Sequence, residues 1–206
     1  MLLRSEHPIA NRVIEQRAGE LHRRYFLKFP PAALPIPVER IIEVMSPLLI
    51  SWEPIASPRG GGIVLGEIRA EQRKLVLNDN AQPHFTEFPG SDNFTLAHEL
   101  GHWILHVKEE PAEANLFTDL PGRPPIVVCT NAAEKPMRER QADRFASYVL
   151  MPADLVRAEA ARREPREWPA LYRFREFLGV SISALCYRLE ELAILSIVDE
   201  KIVYHS

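Results

Sequence analysis

Residues 94 to 107 set three histidines and a glutamate, His98, Glu99, His102 and His106, into an otherwise almost wholly apolar run. Leu96, Ala97, Leu100, Gly101, Trp103, Ile104 and Val107 cover most of the circumference of a helix, which predicts that this helix is buried. Imidazoles and a carboxylate taken out of water are costly unless something pairs with them. A fold built on this segment must therefore bring partners to the polar groups, and a metal ion would satisfy them. The bland alternative, a partly exposed helix on which histidines happen to recur, sits poorly with the apolar surroundings.

The spacing is specific. His98-Glu99-Leu100-Gly101-His102 places two imidazoles at i and i+4, on one helical face about a turn apart. Two imidazoles so placed can bind one zinc ion, and Glu99, between them and to the side, can hold and deprotonate a water molecule. This is the H-E-x-x-H signature of zinc peptidases. His106 continues the series but cannot join His98 on one ion. Eight residues of helix span about 12 Å, whereas zinc–nitrogen bonds are about 2.0–2.1 Å. Pairing His102 with His106 would put Trp103 where the base is needed, and the third histidine of the longer signature is replaced by Lys108. His106 is expected to be structural or to support a ligand from behind.

A third protein ligand must come from elsewhere. Glu109, Glu110, Asp119, Cys129, Glu134, Glu139 and Asp143 are the downstream candidates. In the helix expected from Pro136 to Leu150, the residues Ala142, Phe145, Ala146, Val149 and Leu150 mark an inward stripe. Glu139 and Asp143 fall on that stripe, while Gln141, Arg144 and Tyr148 are predicted to face away. One carboxylate would bind metal; the other, a turn later, would accept an N–H from a ligand histidine and fix its tautomer. Ordinary ion pairs with Arg138 or Arg140 are the competing explanation. Gly101 costs a helix about 1 kcal/mol relative to alanine. We expect the Glu139 helix to cross there, with its axis about 8–10 Å away. No residue is assigned to stabilise an oxyanion, since Tyr148 has the wrong phase.

The 206 residues suffice for one sizeable domain, expected to span 1–206 with a core at about 35–152 and a helical extension at 153–206. A formal net charge of -3 gives no electrostatic case for nucleic acid or an anionic membrane. Cys129 and Cys186 lie far apart and suggest no disulfide framework. Arg4, Glu6, Arg12 and Glu15 precede any long apolar run, unlike a signal peptide, and no stretch is long enough to span a membrane. A cytoplasmic location is expected. Periodicity and breakers predict helices at 8–28, 38–48, 91–107, 136–150, 153–163, 167–178 and 182–192, and strands at 49–52, 63–68 and 74–77. A turn is expected at 58–62 and a loop at 78–90, with Ser91 or Asp92 capping the signature helix. A loop at 109–135 could hold a short strand at 126–129, and a strand pair is expected to turn at Asp199-Glu200.

Phe94-Thr95-Leu96-Ala97-His98-Glu99-Leu100-Gly101-His102 with Leu105-His106, followed by Glu139-x-x-Ala142-Asp143-x-Phe145-Ala146 and Leu150-Met151-Pro152, resembles the ImmA/IrrE family of bacterial metallopeptidases. Gly179-Val180-Ser181, Ala184-Leu185 and Arg188-Leu189 are similar to the family's tail, and Pro35-Ile36-Pro37-Val38 to its entry segment. The resemblance implies an α+β, zincin-like fold: a small antiparallel or mixed sheet packed on the active-site helix, with additional C-terminal helices. It implies Zn2+ held by His98, His102 and Glu139, with Glu99 as catalytic base. It also implies a protein substrate, commonly a helix-turn-helix repressor of stress or mobile-element genes. Two rivals remain. Residues 177–192 resemble a short helix-turn-helix, with Gly179-Val180-Ser181 as the turn and Arg188 on the helix that follows, which would suit a DNA-binding regulator, although two packed helices explain the pattern better. The chain could also bind a partner without cutting it.

Overall fold

The computed structural model describes residues 8–57, 62–107 and 136–205. The fold is α+β. Helix α1 (Asn11–Lys28) buries Ile14, Ala18, Leu21 and Tyr25 along one stripe and stops at Phe29, before Pro30 and Pro31. Helix α2 (Val38–Met45) buries Val38, Ile41 and Ile42 and delivers the chain to strand β1 (Leu49–Glu53). Strand β2 (Gly66–Arg69) begins later than the expected 63, and strand β3 (Lys74–Asn78) follows it. The sheet has the order β1-β3-β2, with β1 parallel and β2 antiparallel to β3. Central β3 buries Leu75, Val76 and Leu77 in succession, as a strand covered on both faces does. Across the sheet, Glu53 takes hydrogen bonds from Lys74, Arg69 and Ser51, which lower its pKa to about 2.

Residues 78 to 90 are not loop throughout. A 3-10 turn (Asp79–Ala81) leads into helix α3 (Gln82–Glu87). The Asn78 side chain accepts from the Asn80 N–H, and Pro83 lies in the first turn, where a helix needs no N–H donor. The signature helix, α4 (Ser91–His106), is entered from Gly90 at φ 89°. Ser91 and Asp92 therefore sit inside the first turn instead of capping it, and the Ser91 hydroxyl donates to the Phe88 carbonyl at 2.7 Å. Gly90 cannot carry a side chain. A Cβ there would lie 2.5 Å from the Gly179 carbonyl oxygen.

Helix α5 (Met137–Leu150) starts one residue after Pro136, which serves as its flanking residue. Met151-Pro152 separates it from α6 (Ala153–Arg163), followed by α7 (Trp168–Leu178) and α8 (Ile182–Glu191). Strands β4 (Leu195–Val198) and β5 (Lys201–Tyr204) form an antiparallel ribbon turning through Asp199 and Glu200. The α7–α8 turn uses Gly179 in the left-handed region, and Ser181 accepts from the Ala184 N–H at 3.2 Å. Arg188, which a DNA-binding reading would aim outward, is 1% exposed. It donates to the Met151 carbonyl, Glu191 and Glu15, and stacks 4.5 Å over the Tyr148 ring. The exposed residues of α8 are Ser183, Tyr187, Glu190 and Glu191, which offer no cationic contact to a phosphate backbone.

One apolar core runs from α1 and α2 through the sheet and α4 to α5, α7 and α8. No helix among the described residues is long and apolar enough to cross a membrane. His22 ties α1 to α5 by donating Nε2–H to the Val149 carbonyl at 2.8 Å.

Gly90→Ala should lower unfolding free energy by more than about 1 kcal/mol, because it combines a positive φ with a backbone clash; denaturant titration measures it. Burial lowers the pKa of His22 from 6.5, partly offset by its bond to Val149. The unfolded chain then binds the proton more readily than the native one, so stability falls as pH drops below about 6.5. His22→Gln should weaken that acid dependence, read from urea midpoints at pH 5.5 and 7.5.

Candidate metal centre

Helix α4 is buried almost all round: residues 95 to 103, with Leu105 and His106, are buried. Helix α5 lies directly against it at Gly101. A Cβ on Gly101 would stand 3.1 Å from Phe145 Cδ1, 3.2 Å from Phe145 Cβ and 3.3 Å from Ala142 Cα. The crossing expected at this glycine is present. It sets Glu139 and Asp143, on the first turns of α5, beside the histidines of α4.

Three donor groups converge. His98 Nε2 and His102 Nε2 are 3.0 Å apart. One oxygen of Glu139 lies 3.2 Å from His98 Nε2 and the other 3.2 Å from His102 Nε2. Tetrahedral zinc with bonds of about 2.0–2.1 Å has donor atoms about 3.3 Å apart. The spacing thus fits one small divalent ion, and so does the chemistry of two imidazoles and a carboxylate, a donor set that leaves a fourth position for water or substrate. Both oxygens of Glu139 lie beside the imidazoles. Glu109, Glu110, Asp119, Cys129 and Glu134 fall outside the described residues, as does the strand expected at 126–129.

The groups behind the two histidines differ. His98 Nδ1 lies 2.9 Å from Asp143 Oδ1, which accepts its N–H and turns Nε2 to the convergence point, where it can hold either a proton or a metal ion. His102 Nδ1 lies 3.0 Å from His106 Nδ1, and His106 Nε2 lies 2.9 Å from Gln141 Oε1. Glu99 is 2% exposed and close enough for its charge to act on His98. Burial alone would lower the His98 pKa. Hydrogen bonds to Asp143 and Glu139, with the charges of Glu99 and Asp143, outweigh burial and raise it to about 9. Burial likewise pushes Glu139 up, but hydrogen bonds from His102 and His98 hold its carboxyl well below the usual range.

Two expectations for α5 need correction. Gln141 and Tyr148 do not face away into solvent; both are buried. Helix α5 packs on α4 along one side, while α1 and α8 cover others, so it has no single inward stripe. Gln141 reaches His106. The Tyr148 hydroxyl donates to Glu191 at 2.6 Å, and burial followed by that bond pushes its pKa up to about 12. Arg144 is half-buried beside Glu191 and Tyr187. Gln141 is the site residue that the sequence reading missed, because a buried amide leaves no mark in hydrophobic periodicity.

No curated protein matches the chain. Among solved structures, a Mycobacterium tuberculosis transcriptional regulator is similar, with 14% identity and a TM-score of 0.51. That likeness shows the fold alone. It covers 87% of this chain and 48% of the regulator, so the chain spans about half of the regulator's length. A family model described as the IrrE N-terminal-like domain, of the M78 peptidases, matches residues 69–190. The matched stretch is more than half of the chain and contains α4, α5 and all three converging donors, and the chain therefore belongs to the IrrE N-terminal-like M78 peptidase family.

Proposed function

We propose that the chain is a zinc-dependent endopeptidase of the cytoplasm that cuts a helix-turn-helix repressor and so relieves repression of stress or mobile-element genes. The observation that carries this reading is the convergence of His98, His102 and Glu139 beside a buried Glu99. Membership of a peptidase family supports the hydrolytic chemistry. The choice of a repressor as substrate rests on the resemblance to ImmA/IrrE proteins.

His98 and His102 would hold zinc through Nε2, and Glu139 through its carboxylate. When bound there, zinc would supply Lewis acidity to the scissile carbonyl and lower the pKa of water towards about 7. The remaining work falls to side chains. Asp143 holds the His98 ring with its N–H directed away from the ligand position. Glu99 takes a proton from the attacking water and returns it to the leaving amine. Its burial keeps bulk water from competing for that proton. Strand β2 pairs only with β3 among the described strands, so its other edge can align an extended peptide by backbone hydrogen bonds.

Glu99→Gln should keep zinc and lose at least about 100-fold in cleavage rate, the usual scale for removing a general base. Full cleavage by that variant would overturn the mechanism. Glu139→Ala should fail to retain stoichiometric zinc in metal analysis after gel filtration. Incubating the wild-type chain with a helix-turn-helix repressor encoded beside it, with zinc and with or without a chelator, should give fragments that the chelator abolishes. A stoichiometric complex with no fragments would instead favour a partner-binding regulator.

A further inference from the structure

The two histidines that meet at the metal position are backed by different chemistry. Behind His98 stands a carboxylate, Asp143. Behind His102 stands a second imidazole, His106, and behind that the amide of Gln141. All three members of this second row are buried, with His102 and Gln141 7% and His106 5% exposed. In a row of buried groups linked one to the next, a member that can only accept places the protons of its neighbours.

The atom of Gln141 that meets His106 is its amide oxygen, which only accepts. His106 must therefore carry its proton on Nε2 to donate to Gln141. In that neutral tautomer His106 Nδ1 is an acceptor. His102 must then carry its own proton on Nδ1 to bridge the 3.0 Å to His106. His102 Nε2, the atom that faces His98 Nε2 and Glu139, is then the nitrogen whose lone pair a metal ion would take. From this geometry we propose that Gln141 and His106 are positioning residues: together they fix the tautomer and orientation of His102 and so set how tightly it holds the metal ion.

The two rows differ in chemistry. A carboxylate behind a ligand histidine raises its basicity and adds a negative charge. Asp143 stands so behind His98, whereas among the described residues His102 is backed by an imidazole and, through it, the Gln141 amide. This inference rests on the metal-site reading above.

The test compares zinc binding by the full chain and by Gln141→Met and Gln141→Glu, using competition with a chromophoric chelator. Methionine fills similar space but accepts no comparable bond. Gln141→Met should bind zinc about 10–100-fold more weakly, the usual loss when an outer partner of a ligand histidine is removed. Gln141→Glu keeps an acceptor oxygen and should bind at least as tightly as wild type. A purely space-filling residue would give the opposite ranking. A long-range proton–nitrogen NMR spectrum of zinc-loaded wild type gives a second readout independent of any variant's folding. It should show His106 as the Nε2–H tautomer and His102 as the Nδ1–H tautomer. If wild type binds zinc and Gln141→Met binds it equally well, or if His106 carries its proton on Nδ1, the inference is overturned while the metal site stands. If wild type takes up no zinc, the metal-site reading falls and the inference with it.

Discussion

Helix α5 reaches the histidines of α4 only because position 101 has no side chain. Phe145 and Ala142 occupy the space that a Cβ would claim, at 3.1 to 3.3 Å. A helix interior gives up about 1 kcal/mol for that glycine. In return two helices come together closely enough for side chains 41 residues apart in sequence to share one point. The other contacts of α4 and α5 serve to keep that crossing in place. The start of α4 is seated against the α7–α8 turn through Gly90 and Gly179, and α1 grips the end of α5 through His22 and Val149. Arg188 joins α8 to α1 and to the Met151 carbonyl, just beyond α5.

Much of this arrangement is legible in the chain because it follows from short-range periodicity. The i, i+4 spacing of His98 and His102 needs only a helix to become a pair, and the apolar neighbours report that the helix is buried. Gly101 marks the crossing, and the apolar residues around Glu139 and Asp143 place both carboxylates on a face turned towards a partner. The C-terminal breaks are equally plain: Met151-Pro152, Gly179 and Asp199-Glu200 each end an element where the structure ends one. What periodicity does not carry is the contact made by a polar side chain on a second buried face. Gln141 and Tyr148 lie off the apolar stripe yet are buried, because α5 has neighbours on more than one side. Helix α3 was masked by Pro83, which reads as a breaker but is harmless in a first turn. The cap of α4 follows from the seating of Gly90 against Gly179, a contact between segments about ninety residues apart that no local rule anticipates.

The same geometry explains how so many ionisable groups tolerate burial. His98 and Glu99 are almost wholly hidden from water, and an isolated charge there would be expelled or neutralised. Here His98 and His102 each meet a carboxylate. Asp143 and Glu139 overcome the penalty of burial at His98 and raise its pKa to about 9, while the histidines hold Glu139 in its charged form. A proton and a metal ion would therefore contend for the same nitrogen, and either would satisfy the cluster. The apolar core that joins α4 to α5 does not pass through this cluster; it is built from Leu96, Ala97, Leu100, Phe145, Ala146 and Val149. In a small zinc module the ligands supply much of what holds the chain together, so binding and folding are one event. In this chain the crossing that brings His98, His102 and Glu139 together has apolar packing of its own to hold it, so the convergence does not depend on the polar cluster alone.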